Sequence, residues 1–227
     1  RFFSLLYHIR RVVADLRMTK YKRKFCQDDK QRRVVMGAQV LRYRLTDTPS
    51  QGQVQYLVPG QVQLTEARLG DVRLTRIVMQ RITGVDSKYR IIATLLPKNF
   101  YCANSVNYIS PRRNGINLYY LLGVLNSRAV NFFFKQTSTN TNVTGKEIAK
   151  FPIIVGVGNI ENHISVYVQN ILSAKLSDPT ADTSEQERAI DLMVYKLYGL
   201  TYDEVKVVDP ETTITEEEYE REISKQS

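Results

Sequence analysis

The 227-residue sequence has no tryptophan, only two cysteines and two histidines, and no Pro-Pro dipeptide. Each scarcity closes a class of function. Cys26 and Cys102 cannot build a disulfide framework, and with only His8 and His163 beside them they do not make a zinc site. No metal is expected. No apolar run nears the roughly 18 residues that a membrane span requires; the longest stretches are 118–125 and 153–158, so no membrane partner is expected. The first residues lack the apolar core and cleavage site of a signal peptide and begin at Arg1 rather than Met, which reads as a fragment of a larger cytoplasmic protein. The phosphate-cradling G-x-x-x-x-G-K-S/T run and the G-x-S-x-G elbow are both missing, and Gly156-Val157-Gly158 lacks the third glycine of a dinucleotide fingerprint. Carboxylates cluster only near the C-terminus, where a solvated helix face explains them better than acid–base work. No catalytic residue is assigned, and a binding module fits better than a catalyst.

What is present is apolar content of 43%, enough for a core, and a strong segregation of charge. Residues 1–150 hold 26 Lys and Arg against 8 Asp and Glu, whereas residues 151–227 hold 6 against 15. A polyanion is drawn to one part of such a molecule and repelled by the other, and the composition break at Phe151-Pro152 marks the best boundary.

Patterning along the chain points to an α+β fold. Phe2, Leu5, Leu6, Ile9, Val12, Val13 and Leu16 recur at helical spacing, predicting an amphipathic N-terminal helix that runs into a basic connector ending at residue 33. Residues 34–152 read as a twisted, β-rich domain, with strands over 38–44, 54–58, 77–82, 90–95 and 106–109 separated by Gly- and Pro-containing turns. Within it one buried helix carries Leu118, Leu121, Leu122, Leu125, Ala129, Phe132 and Phe133 on one face and ends in an exposed loop over 136–145. Residues 153–227 read as an acidic helical subdomain. It contains a helix over 160–175, a second opened by a Ser184/Glu187 capping box, a third opened by Thr201/Glu204, and a fraying tail after Thr215.

Three stretches carry a resemblance. Residues 76–83 followed by 90–95, the run Leu121-Leu122-Gly123-Val124-Leu125-Asn126-Ser127 with its Lys150-Phe151-Pro152-Ile153 exit, and the helix over 190–200 are similar, in that order, to the TaqI-like C-terminal specificity domain of bacterial adenine-N6 DNA methyltransferases. The closing helix also resembles the end of many single-chain type IIG restriction-modification proteins. Similarity is good over 76–207 and loose over 1–75. The N/D-P-P-Y/F/W motif and the glycine-rich cofactor loop of those enzymes are absent, as is a nuclease constellation. The resemblance therefore implies a DNA target-recognition domain whose parent chain holds methyl transfer, S-adenosylmethionine and any cleavage elsewhere; no cofactor is expected in these 227 residues.

The implied partners are double-stranded DNA and the methyltransferase domain of the same parent chain. Base edges in the major groove call for Arg, Asn and Gln, which nominates Gln80, Arg81, Arg112, Arg113, Asn114, Asn140 and Asn142. Phosphates call for cations, which nominates Arg76, Lys88, Arg90, Lys135, Lys146 and Lys150. Asn140 and Asn142 equally suit a turn, and Gln80 an outward strand position. The acidic helical end is expected to stay off DNA and to dock on the strand-rich part or on another domain of the parent. A different class of function, a non-catalytic protein-interaction or scaffold domain with a basic face, also satisfies the composition.

Overall fold

In the computed structural model the chain is described at residues 2–4, 9–13, 22–50, 52–58, 60–61, 63–84, 87–111, 115–138, 140–155 and 157–224. Its strands are β1 (Phe2–Ser4), β2 (Ile9–Val13), β3 (Phe25–Cys26), β4 (Arg32–Val35), β5 (Val40–Leu41), β6 (Arg44–Leu45), β7 (Gln55–Leu57), β8 (Arg76–Gln80), β9 (Ala93–Leu96), β10 (Tyr101–Cys102), β11 (Val106–Pro111) and β12 (Pro152–Ile154). Its helices are α1 (Glu66–Val72), α2 (Leu118–Asn126), α3 (Arg128–Thr137), α4 (Gly145–Ile148), α5 (Asn159–Ser177), α6 (Ser184–Leu197), α7 (Tyr202–Val208) and α8 (Glu216–Ser224). The fold is α+β with mixed sheets.

The middle layer is the antiparallel sheet β2-β11-β8-β9. Alternation along β8 sends Ile77 and Met79 to one face and Val78 to the other, as the two-residue period of a strand requires. Below, Ile77, Met79, Ala93 and Ile109 join Leu121, Leu122 and Leu125 of α2, Ile164, Val168 and Ile171 of α5, and Ile190 and Val194 of α6 in one buried cluster. Above, Val78, Leu96, Val106 and Tyr108 pack on Val35, Val40 and Cys102. Val35 and Cys102 belong to a second sheet, β10-β4-β7-β3, in which the β10–β4 pair is parallel. The acidic helices thus complete the core beneath the basic sheet, and the change of charge at Phe151-Pro152 does not coincide with a gap in packing.

Several sequence expectations are corrected. The N-terminal helix is not formed: Phe2–Ser4 pairs with Pro152–Ile154, and Ile9–Val13 pairs with β11. Ile9, Val12 and Val13 are β-branched, a weak helix choice and a good strand choice, and the unpaired edge of β11 supplies the partner. Residues 5–8 and 14–21 lie outside the described residues. The basic connector is likewise partly sheet, because Arg32 and Arg33 belong to β4. Instead of a strand over 38–44 there is a single 3-10 turn, Gly37–Gln39, and a tight β5–β6 hairpin. That hairpin holds Tyr43 at φ +58° with its N–H on the Ala93 carbonyl. The buried helix is two helices, since Ser127 leaves the helical conformation and its Oγ accepts the Val130 N–H to cap α3.

In the C-terminal part the cap of α6 is Thr183 rather than Ser184, with the Thr183 hydroxyl donating to Glu187 at 2.8 Å. The Thr201/Glu204 capping box is present. The tail after Thr215 forms α8 instead of fraying, because the acidic run is interrupted by Tyr219, fully buried against Tyr195, Val205 and Ile214 and donating its hydroxyl to the Leu200 carbonyl.

The Leu-Leu-Gly-x-Leu-Asn-Ser run has a physical reading at three of its positions. A Cβ on Gly123 would stand 2.6 Å from Ile164 Cγ2 and 3.0 Å from Val168 Cγ2, so glycine is what lets α2 cross α5 closely. Asn126 donates to and accepts from the Ala93 backbone at 3.0 and 3.1 Å, and Ser127 starts α3. Gly123→Ala is expected to lower stability by about 1–3 kcal/mol, the usual range for overpacking, partly offset by up to ~1 kcal/mol of helix propensity. Urea unfolding measures this, and an unchanged midpoint would rule out the close crossing.

A titrating group is built into the joint between sheet and acidic helices. Asp191 on α6 accepts the Arg128 N–H at 2.8 Å, while Arg42 bonds Glu187 at 2.6 Å and lies over the Tyr89 ring. Burial pushes the Asp191 carboxyl up to about 7, against the pull of the Arg128 N–H and of the Arg42 and Arg128 guanidinium groups. The folded form thus holds a proton that the unfolded chain releases near pH 4. That contribution to stability is present below pH 4 and is lost as pH rises through about 7. Asp191→Asn keeps the acceptor without the titration. Relative to wild type it is expected to gain stability with a slope approaching about 1.4 kcal/mol per pH unit between pH 4 and 7, then to hold level; a flat difference in thermal melts would contradict the buried carboxyl.

Candidate functional site

Several loops meet at one end of the middle sheet, where β8 exits and β11 begins. Arg81 donates its N–H to the Ser105 carbonyl and accepts the Val143 N–H at 2.7 Å; Thr83 donates to the Thr141 carbonyl, and Ile82 and Asn142 form an antiparallel bridge. One guanidinium nitrogen of Arg81 donates to the Asn104 carbonyl at 3.2 Å. The expected loop over 136–145 is shorter, since α3 runs to Thr137 and α4 starts at Gly145; its residues 141–143 pair with residues 81–83 beyond the end of β8, while Asn140, Thr141 and Asn142 are exposed. Next to it are the exposed Lys146, on α4, and Lys150, and α4 itself touches β2.

The loop is held from below by buried polar groups. Asn131 on α3 accepts the N–H groups of Arg90 and Ile91, both at 2.8 Å. Arg90 lies over the Phe134 ring, donates through Nε to Thr83 at 3.1 Å, and bonds the Asn140 carbonyl. At the far end Glu147 accepts from the Ser138 hydroxyl and from the Thr144 N–H and hydroxyl. Burial alone would raise the Glu147 carboxyl, but hydrogen bonds from Ser138, Thr144 and Asn140 together hold it below the usual carboxylate range. A charged acceptor is thereby kept beneath the loop, where it also holds the Asn140 side chain, while Asn142 is exposed.

Of the residues nominated from sequence, Arg81, Asn140 and Asn142 are brought together, with Lys146 and Lys150 in the loop's continuation. Arg76 and Arg90 are corrections. Both are buried, Arg76 over the Tyr108 ring with a hydrogen bond to the Phe100 carbonyl, so neither offers its charge to a phosphate; Arg90 instead positions Asn140. Gln80 is also tied inward, its amide donating to the Val40 carbonyl at 2.7 Å. Lys88 pairs with Glu211 at 2.9 Å, and Lys88 and Lys135 line a cavity of about 520 Å³ together with Asp209 and Glu211. That places these two lysines beside carboxylates. Arg112, Arg113 and Asn114 lie outside the described residues.

Sequence reasoning missed Asn104, which supplies the Arg81 acceptor, the exposed Ile82 and the buried Asn131, and it carried Asn126 only as one letter of the Leu121–Ser127 run without a role. The polar pair Asn104-Ser105 between two apolar strands was a readable signal for the first; nothing local marks the others. A larger cavity of about 910 Å³ beside Tyr89 and Arg128 is lined by Asp182, Glu185, Glu187, Asp191, Asp209 and Glu211, an excess of negative charge unsuited to a polyanion. Among the described residues no group of three or more His, Cys, Asp and Glu could hold a metal ion, and no helix is long and apolar enough to cross a membrane.

Comparison with known proteins gives this geometry a family. No curated protein matches the chain in sequence. Among solved structures, the HsdS subunit from Thermoanaerobacter tengcongensis is similar over 86% of this chain and 44% of its own, at 12% identity and a TM-score of 0.48. The type IIL restriction-modification enzyme MmeI, solved in complex with DNA, is similar over 91% of this chain and 32% of its own, at 13% identity and a TM-score of 0.54. The chain thus spans less than half the length of either. Residues 32–153, more than half of the chain, match the TaqI-like C-terminal specificity domain, and the protein belongs to that family.

Proposed function

We propose that this chain reads a short sequence of duplex DNA for a restriction-modification protein, with the end of the middle sheet as its reading edge. The observation that carries the reading is the convergence of Arg81, Asn140 and Asn142 on one backbone-locked edge. Guanidinium suits the two acceptors of guanine, and a carboxamide suits the donor–acceptor pair of adenine. Lys146 and Lys150 supply the sequence-independent attraction to phosphate. The surplus of carboxylates in residues 151–227 disfavours a polyanion there and favours the basic part of the chain. Methyl transfer with S-adenosylmethionine, and any cleavage, belong in this proposal to a methyltransferase domain of the same parent chain, and the reading edge holds the duplex for that domain.

The test is duplex binding across a salt series combined with selection of bound sequences from a random pool. Wild type is expected to lose affinity with a log–log slope of about −0.9 per phosphate contacted. Lys146→Ala and Lys150→Ala should each shallow that slope by about one contact while leaving the selected sequence unchanged. Asn142→Ala should leave the slope alone and relax the preference at one base pair, at a cost of about 1–3 kcal/mol in discrimination. Duplex binding that is insensitive to salt, or an unaltered selected sequence in both Arg81→Ala and Asn142→Ala, would overturn the assignment of this edge.

A further inference from the structure

We infer that Ile82 is a specificity-determining residue that recognises the C5-methyl group of a thymine in the major groove; the inference rests on the DNA-reading proposal above. Among the large apolar side chains exposed in the described residues, Phe133, Val166, Leu176 and Val207 lie on helices of the lower layer, whereas Ile82 lies on the sheet edge between Arg81 and Thr83 and is 62% exposed. Its neighbours in sequence and across the bridge are polar: Arg81, whose guanidinium reaches Asn104, and Asn142.

The backbone around Ile82 is immobilised on both sides. The hydrogen bonds of Arg81 with Ser105 and Val143 and of Thr83 with Thr141 fix its position, and Thr83 is anchored beneath by Arg90. A β-branched side chain has little χ1 freedom of its own. Ile82 therefore projects as a pre-set apolar knob that loses little entropy on contact. An isolated surface apolar residue is common, but Ile82 stands on a backbone locked at both of its sequence neighbours and directly across the bridge from Asn142. Major-groove base edges are hydrogen-bond donors and acceptors with one apolar exception, the methyl at C5 of thymine. Pressing Ile82 onto any other edge would strip water from a polar group without replacing its hydrogen bond. The same methyl is carried by 5-methylcytosine, so the methyl is the shared chemistry and thymine the source to which we commit.

The experiment uses the 227-residue chain, wild type, Ile82→Ser and Ile82→Val, with equal melting temperatures as the control for folding. The sequence selected by wild type is resynthesised with each thymine replaced singly by deoxyuridine, which removes only the methyl. Wild type is expected to bind one such duplex about four-fold more weakly, the factor that corresponds to ~0.8 kcal/mol for one buried methyl-sized group. Ile82→Val should keep most of that discrimination, and Ile82→Ser should bind the thymine and deoxyuridine duplexes alike. Equal discrimination in Ile82→Ser and wild type, or a selected sequence without thymine, overturns the role of Ile82 while leaving DNA reading intact. A methyl dependence that appears only when cytosines carry the group overturns the assignment to thymine. Absence of salt-dependent duplex binding by wild type removes the reading edge and Ile82 together.

Discussion

Two buried asparagines do the work of a missing strand. Asn126, at the end of α2, exchanges a pair of hydrogen bonds with the Ala93 backbone, and Asn131, one turn into α3, accepts the N–H groups of Arg90 and Ile91. Residues 90–93 border the middle sheet, and the N–H groups of Arg90, Ile91 and Ala93 would otherwise be buried without these acceptors, at a cost of about 1–3 kcal/mol each. Because the chain is fixed there, the Arg90 guanidinium is fixed as well, and through it Thr83 and the Asn140 carbonyl. The exposed edge is therefore positioned by a polar chain that begins inside the helical layer.

The same arrangement explains how a basic sheet and acidic helices share one core. Apolar faces of α2, α5 and α6 cover the underside of the sheet. Arg42–Glu187 ties the sheet side to α6, and Arg128–Asp209 ties α3 to the end of α7 within the helical layer. These pairs are partly buried, so each charge needs the other: losing one partner would leave an uncompensated ion in a low-dielectric setting. The acidic helices are then held to the sheet by the contacts that also close the core, and the carboxylate of Glu147 braces the reading edge from beneath.

Much of the fold was legible locally. β7, β8, β11, α5 and the Thr201/Glu204 cap follow from alternation, helical spacing and turn chemistry. The failures share a cause. Ile9 to Val13 satisfies helical and extended spacing alike, and the open edge of β11 decided between them. Tyr219 is one apolar residue in an acidic run, and a pocket made by Tyr195, Val205 and Ile214 decided that the run becomes a packed helix. At the site, Arg81, Asn140 and Asn142 could be nominated by residue type, whereas Arg76 and Arg90 have the same type and lie in the interior.

By itself the sequence determined the class of the molecule: a charge-segregated α+β chain carrying the order of segments of a specificity domain. Composition and short-range periodicity are properties of neighbouring residues, so they survive without a fold. Which arginine carries its charge outward, which loop continues a strand, and that Ile82 stands across the bridge from Asn142 were decided only by tertiary structure, because exposure and hydrogen-bond partnership are set by residues dozens of positions away.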